Sequence, residues 1–301
     1  MTNFYDNHWS IEGAYDNAAS DEFQIQIFRK MFPGFEKNVQ KQVKEGDSIL
    51  DIGCGPAVSA QAYFGDTLKY ARYVGIDRSE VALEKARKRL GGGQKVKLLL
   101  GDAFASIDVY KFGEFDFISC FGVLHYQKDM RKSVKHLAEK LKIGGRFIAW
   151  VYKEQNPIRK LTDDYLRSIV SKLPKDKVLE VIKPLTELGM ELGQVHDEIH
   201  IERDIPCLGI ETGIYSVHEL FYYYFIKLFY NPTLPFERHV VNNLNAFGPE
   251  HVLFLPENEI LAIFVESGFD IETWSSRGNG VGIVAVKTGM TEAQAMELKY
   301  E

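Results

Sequence analysis

The chain has the composition of an ordinary globular protein: 301 residues, of which 45% are hydrophobic and 26% are charged. A formal net charge of -6 argues against broad nucleic-acid binding, which needs a basic surface. No stretch of uninterrupted apolar residues is long enough to predict a membrane span. The length fits one large domain, or a core domain with a sizeable insertion.

The N-terminal segment, residues 1–45, predicts helices that pack over a ligand site. One helix is expected from about Ser20 to Phe32, and Tyr5, Trp9 and Tyr15 are aromatic candidates to cover the ligand. Ordinary helix packing is the alternative role for these rings. The first residues lack the basic and apolar regions of a signal peptide.

The cysteines favour a reducing compartment. The chain has three of them, at positions 54, 120 and 207, and their spacing matches no zinc site. An odd number of cysteines without a secretory signal predicts reduced thiols. We therefore expect a cytoplasmic protein.

A buried strand runs into a glycine turn at residues 49–57, which read Ile-Leu-Asp-Ile-Gly-Cys-Gly-Pro-Ala. Gly53 and Gly55 allow a ligand to approach the backbone, which a Cβ atom would prevent. Asp51 precedes this turn, and Asp77 ends the next apolar run. A carboxylate after the second strand can accept hydrogen bonds from both hydroxyls of a ribose. The pattern therefore predicts a nucleoside site, with a tight turn that binds no ligand as the alternative.

The glycine spacing separates two classes of nucleotide-binding protein. The dinucleotide pattern G-x-G-x-x-G/A fails because Val58 occupies the third small position. The pattern present is D-x-G-x-G-x-A, ending at Ala57. It resembles motif I of the class I S-adenosylmethionine (SAM)-dependent methyltransferases. In that family the glycine loop faces the methionyl moiety, which carries no phosphate.

Later segments resemble the same family, in order and at the expected spacing. A helix is expected from Ser79 to Leu90, and residues 101–104 follow the third strand and read Gly-Asp-Ala-Phe. The family's Asp at this place accepts the adenine amino group. Residues 123–125, Val-Leu-His, resemble the loop after the fourth strand of many small-molecule methyltransferases. Residues 141–147 resemble its L-K-x-G-G-x-F turn.

The resemblance covers residues 45–152 and resumes at 256–288. It implies a Rossmann-like α/β fold: a seven-stranded, mostly parallel sheet with helices on both faces and an antiparallel last strand. The strand and helix alternation from Ile49 to Tyr152 independently predicts a parallel sheet. The expected segments are a helical cover (1–45), a SAM-binding core (46–152), an inserted lid (153–255), the end of the core sheet (256–289) and a tail (290–301).

The insertion, residues 153–255, is far longer than a simple crossover connection requires. Its periodicity predicts helices over Leu161–Leu173, Lys175–Leu188 and Val217–Tyr230. The aromatic side chains of the last helix either form the packed core of the lid or line an acceptor pocket. The family often places substrate-recognition insertions at this point.

The resemblance implies SAM as the cofactor and assigns candidate site residues. The cofactor-binding candidates are Tyr15, Asp51, Gly53, Gly55, Asp77, Arg78, Asp102, Ala103, Phe104 and Phe121. The substrate-binding candidates are Tyr152, Tyr222 and Phe225. His125 is the candidate general base, because it follows the fourth strand and has an ordinary pKa near neutrality. The alternative is that His125 only shapes the pocket or bonds to a backbone carbonyl.

No metal is expected. His196 and His200 stand four residues apart, as on a metal-binding helix, but the segment does not match H-E-x-x-H. An exposed strand fits the alternation of this segment equally well.

The expected function is methyl transfer from SAM to an oxygen or nitrogen of a small-molecule or natural-product acceptor. Methylation of a peptide carboxylate or another macromolecule is one alternative. A non-catalytic SAM-binding protein and a dinucleotide oxidoreductase are the others. The sequence leaves the oligomeric state open.

Overall fold

The computed structural model describes residues 8–15, 18–32, 39–69, 71–91, 93, 95–104 and 112–289. Tyr5 and the predicted tail lie outside these residues. Among the described residues, no helix is both long and apolar enough to cross a membrane.

The described chain is built around a seven-stranded sheet with the order β3-β2-β1-β4-β5-β9-β8. Its strands are β1 (Ser48–Ile52), β2 (Arg72–Asp77), β3 (Val96–Leu100), β4 (Phe115–Phe121), β5 (Leu141–Tyr152), β8 (Phe269–Arg277) and β9 (Gly280–Lys287). The first five strands pair in parallel, whereas β9 runs antiparallel to both of its neighbours. This confirms the expected fold class.

Helices cover both faces of the sheet. They are α1 (Ala18–Met31), α2 (Val58–Phe64), α3 (Glu80–Leu90), α4 (Met130–Ala138) and α9 (Glu257–Glu266). Every residue of β1 is buried, as expected for a central parallel strand covered on both faces. Its Leu50 and Ile52 join the apolar core beneath α4 and α9, whereas Ile49 joins the core beneath α1 and α2. The helix predicted from Ser79 is α3, and the Ser79 hydroxyl caps it by accepting from the Ala82 N–H.

The strand order fixes where a ligand can bind. The chain leaves β1 to form β2 and β3 on one side, and then returns to form β4 and β5 on the other side. The loops after β1 and β4 therefore diverge and leave a crevice at the carboxyl ends of the strands, which is the usual ligand site of such sheets.

Between β5 and α9 the chain forms helices and a small hairpin. They are α5 (Pro157–Val170), α6 (Lys175–Gln194), β6 (Glu198–Ile201), β7 (Gly213–Ser216), α7 (Val217–Tyr224) and α8 (Phe236–Phe247). The strand alternative for the segment with the paired histidines is correct, since His200 lies on β6. The predicted helices over residues 161–173 and 175–188 correspond to α5 and α6.

The helix predicted over Val217–Tyr230 is too long, because α7 ends at Tyr224. Beyond its end, side chains from neighbouring helices accept the backbone N–H groups that a continued helix would satisfy internally. Asp163 accepts from the Lys227 N–H at 3.1 Å, and Asn243 accepts from the Phe229 N–H at 2.7 Å. Tertiary hydrogen bonds thus replace helical ones.

Candidate functional site

A cavity of about 460 Å³ lies at the carboxyl ends of β1 to β5. Cavities of roughly 300–1,000 Å³ are typical of small-molecule sites. N-terminal residues and the insertion supply the rest of its lining. Most of the predicted site residues meet here: Tyr15, Gly53, Gly55, Asp77, Arg78, Asp102, Ala103, Phe104, Phe121, His125, Tyr152 and Tyr222. Asp51 and Phe225 are not among the lining residues.

In the loop after β1, both the backbone conformation and the close neighbours require glycine at positions 53 and 55. Gly53 and Gly55 have φ angles of +64° and +52°, in the left-handed region that favours glycine. A Cβ atom on Gly53 would lie 2.4 Å from Cγ2 of Val123, and one on Gly55 would lie 3.0 Å from the Trp9 ring. Trp9 lines the cavity, so the N-terminal segment closes directly over this loop.

Asp77 is held in a fixed orientation at the end of β2. One carboxylate oxygen accepts from the Gly55 N–H at 2.9 Å, and the other accepts from the Ser79 N–H at 2.9 Å. Burial raises the pKa of Asp77, and the backbone hydrogen bonds oppose this effect. Each oxygen keeps a second lone pair, so the carboxylate can still accept hydrogen bonds from a vicinal diol.

Asp102 lies near Asp77, at the end of the neighbouring strand. One of its oxygens accepts from the Phe104 N–H at 2.9 Å, and the other pairs with the Arg78 guanidinium. Ala103 and Phe104 line the cavity beside it. The end of β3 therefore offers a carboxylate together with apolar surface, which suits a planar heterocycle with an amino group.

Asp51, a cofactor-binding candidate from its place in the glycine motif, does not line the cavity and is engaged by two hydroxyl groups. Its carboxylate accepts from the Tyr73 hydroxyl at 2.6 Å and from the Ser119 hydroxyl at 2.7 Å. Both partners are themselves buried. Asp51 pairs with Gly75 of β2, so it lies two residues deeper in the sheet than Asp77. Burial raises the pKa of Asp51 to about 6.

Phe225 is the second predicted residue that lies away from the cavity. It follows the last residue of α7, and its ring packs against that of Phe221 with 5.6 Å between ring centroids. Its carbonyl oxygen accepts from the Thr162 hydroxyl.

Tyr15 belongs to a buried cluster over the glycine loop. Its hydroxyl lies 2.7 Å from Nε2 of His8, and the Arg238 guanidinium carbon lies 4.2 Å above its ring. Burial raises the pKa of Tyr15 to about 12 and lowers that of His8 to about 3, so both are neutral near pH 7. Arg238 of α8 is therefore the charged member of this cluster.

His125 is buried among aromatic rings. Its centroid lies 3.9 Å from that of Tyr152 and 4.3 Å from that of Tyr126. Nδ1 accepts from the Tyr152 backbone N–H at 3.2 Å, whereas Nε2 has no hydrogen-bond partner among the described residues. Burial, with Lys227 nearby, lowers the pKa of His125 well below its ordinary value. The ring is thus neutral and carries its proton on Nε2.

Sequence reasoning missed two buried cations of the cavity, Lys227 and Arg238. Both come from the insertion, and no local pattern marks either one, because only the packing of α7 and α8 over the sheet brings them to the crevice. Among the described residues, no group of three or more His, Cys, Asp and Glu side chains could hold a metal ion.

Comparison with known proteins agrees with this geometry. A family profile described as a methyltransferase domain matches residues 43–185. Over 166 residues the chain is 28% identical to the mRNA cap guanine-N(7) methyltransferase of Saccharomyces cerevisiae, covering 48% of this chain and 34% of that protein. It is 34% identical over 110 residues to the ubiquinone biosynthesis O-methyltransferase of Thiobacillus denitrificans, covering 36% and 43%. The chain thus matches less than half the length of these relatives.

Among solved structures, an O-methyltransferase family protein from Burkholderia thailandensis superposes with a TM-score of 0.48 and 11% identity, covering 90% of this chain and 59% of that one. Residues 43–185 match a methyltransferase domain, and the sheet order and the crevice are those expected for the class I SAM-dependent type.

Proposed function

We propose that the protein transfers a methyl group from SAM to an oxygen or nitrogen of a small-molecule acceptor. The observation that carries the proposal is Asp77, a buried carboxylate fixed by two backbone N–H groups beside a loop that tolerates only glycine at Gly53 and Gly55. This arrangement suits a nucleoside whose tail has no phosphate. Bound there, SAM would supply an activated methyl group on a sulfonium.

Particular residues of this chain would hold the cofactor. Asp77 would accept from the ribose hydroxyls, and Asp102 from the adenine amino group, with Ala103 and Phe104 against the ring. Nε and Nη1 of Arg238 are buried and have no hydrogen-bond partner among the described residues. We assign Arg238 to the methionyl carboxylate, because its guanidinium lies on Tyr15, beside the Trp9 ring that covers Gly55.

The acceptor would occupy the other half of the cavity, under the insertion. Tyr152, Tyr222, Tyr223 and His125 line that half. We propose that residues 153–255 act as the lid that selects the acceptor, and that the N-terminal residues close the cofactor side. Such a cover aligns the acceptor with the methyl group and excludes water, which is most of what this chemistry requires.

The same geometry supports a metabolite as the acceptor rather than a macromolecule. The crevice is covered from both sides, and the net charge of -6 disfavours an RNA acceptor like the one named for the yeast relative.

We include a role in natural-product biosynthesis and a cytoplasmic location in the proposal. Cys54 and Cys120 are buried free thiols, and Cys207 is an exposed one.

Calorimetric titration tests the cofactor assignment. SAM and S-adenosylhomocysteine should each bind at one site, and NAD should show no binding at the same concentrations. NAD binding more tightly than SAM would overturn the proposal. Binding without methyl transfer to any acceptor would instead favour a non-catalytic SAM-binding protein.

A further inference from the structure

Lys227 is a buried cation without a matching anion. Its side chain is 8% exposed and lines the cavity. The ammonium donates a hydrogen bond to the Tyr152 hydroxyl at 3.2 Å and lies 4.8 Å from the centroid of the Tyr152 ring. Among the described residues, no carboxylate lies within ion-pair distance of it. Burying an unpaired charge is costly, so the site favours an anion beside this group.

The carboxylate that contacts the Lys227 backbone is already engaged. Asp163 accepts from the Arg159 guanidinium at 2.8 Å and from the backbone N–H of Lys227 at 3.1 Å. These contacts fix the backbone at Lys227 but leave the ammonium uncompensated. The Tyr152 hydroxyl is therefore its hydrogen-bond acceptor among the described residues.

His125 offers a second donor in the same place. Because Nδ1 accepts from the Tyr152 N–H, the proton of the neutral ring lies on Nε2, which is buried and unpartnered. A neutral imidazole has one free lone pair, and here the backbone occupies it. His125 can therefore donate a hydrogen bond to the acceptor but cannot remove a proton from it without losing its contact to Tyr152.

Resting on the proposed function, we propose that the methyl acceptor is a small carboxylic acid, whose ionised carboxylate lies against the Lys227 ammonium and the His125 Nε2–H. The surroundings are two donors and a wall of aromatic rings, Trp150, Tyr152 and Tyr222. They suit an apolar or aromatic acid. The carboxylate needs no general base, since it is already ionised at neutral pH.

The reaction balances without a proton acceptor. A carboxylate oxygen attacks the methyl carbon, a C–O bond forms, and the C–S bond breaks with its electron pair left on sulfur. The products are a methyl ester and the neutral thioether S-adenosylhomocysteine. No proton is released, whereas methylation of a phenol or an amine would release one.

The test compares benzoate with benzamide, a neutral molecule of similar shape, by calorimetry on the protein saturated with S-adenosylhomocysteine. Wild type should bind benzoate roughly tenfold or more tightly than benzamide. Lys227→Met should abolish this preference, and Lys227→Arg should keep it. The matched control is Lys177→Met, which removes an exposed lysine paired with Glu180 and should change nothing.

Three results would overturn the inference: no preference for benzoate in wild type, a preference that survives in Lys227→Met, or transfer of labelled methyl to phenol or aniline ahead of benzoate. S-adenosylhomocysteine should bind Lys227→Met as it binds wild type, which shows that the variant is folded. Failure of wild type to bind that compound at all would overturn the proposed function itself, and this inference with it.

Discussion

Asp51 and Asp77 lie on neighbouring parallel strands but have opposite surroundings. Asp51 faces buried hydroxyl groups, whereas Asp77 faces the cavity and two backbone N–H groups. Both face the same side of the sheet, but Asp51 pairs with Gly75, two residues before Asp77, and only Asp77 lines the cavity. A substitution of Asp77 should therefore change SAM binding, whereas a substitution of Asp51 should change how stability depends on pH.

Asp77→Asn should weaken SAM binding by roughly 1–3 kcal/mol, because the cofactor loses hydrogen bonds to a charged acceptor. Calorimetry measures the change directly. Asp270→Asn, on the exposed surface of β8, removes the same charge away from the cavity and should leave the affinity unchanged. Equal affinity of Asp77→Asn and wild type would remove Asp77 from the ribose site.

Asp51 should make stability depend on pH. Its pKa in the folded protein is about 6, above the ordinary value of 3.8, so the folded state binds the proton more tightly than the unfolded chain does. The resulting stabilisation is fully present below pH 4 and is lost as the pH rises through about 6.

Urea denaturation at pH 4 and pH 8 should show this effect against Asp51→Asn. The unfolding free energy of wild type, relative to the variant, should be higher at pH 4 by up to about 3 kcal/mol. The contributions of the other titratable groups are common to wild type and variant, so they cancel in this difference. The prediction is wrong if the difference between wild type and variant is the same at both pH values.

At the scale of elements, the capping of α7 positions two tyrosine rings of the cavity, on the side proposed for the acceptor. The Ser216 hydroxyl accepts from the Glu219 N–H at 3.2 Å, and the Glu219 carboxylate accepts from the Ser216 N–H at 3.0 Å. The helix that follows carries Tyr222 and Tyr223 to the cavity lining.

Ser216→Ala should lower the unfolding free energy by about 1 kcal/mol, the usual cost of losing an N-cap. Ser216→Thr keeps a capping hydroxyl and should lose clearly less. Binding of S-adenosylhomocysteine should be unaffected by either change, because that compound would bind at the sheet edge. Equal stability of the Ala and Thr variants in urea would contradict a capping role.

Prediction from sequence succeeded where structure is local. The glycine turn after β1 and the Ser79 cap follow from neighbouring residues, whereas the seven-stranded sheet with its antiparallel last strand was implied by the family resemblance. The boundaries within the insertion were less predictable. The chain leaves the helix after Tyr224 because Asp163 and Asn243, distant in sequence, accept the next backbone N–H groups. The helix α8 was not predicted at all.

The residues of the candidate site also divide into those that local sequence could predict and those that depend on tertiary packing. Residues at strand ends, such as Asp77 and Asp102, line one cavity because parallel strands bring their ends to one edge. Lys227 and Arg238 were missed because their positions depend on how the insertion packs over the sheet. Nor can a sequence show which nitrogen of His125 is engaged, since that depends on the Tyr152 backbone.

At the scale of the whole molecule, the N-terminal cover and the insertion pack together. Tyr15 and Ala14 form an apolar cluster with Val241 of α8, separate from the two cores of the sheet. The cavity thus lies between the carboxyl ends of the strands, which supply carboxylates, and a roof formed by the insertion, which supplies cations. Although the chain is acidic overall, its roof carries Lys227 and Arg238.

The proposed function places the nucleoside of the cofactor at the sheet edge, its methionyl carboxylate at Arg238, and the acceptor beside Lys227 and His125. A crystal structure of the protein with S-adenosylhomocysteine tests it most directly. We predict that the ribose hydroxyls contact Asp77, that the adenine lies beside Asp102 and Phe104, and that the sulfur faces the half of the cavity lined by His125. An empty glycine loop, or a ligand bound away from Asp77, would contradict the account.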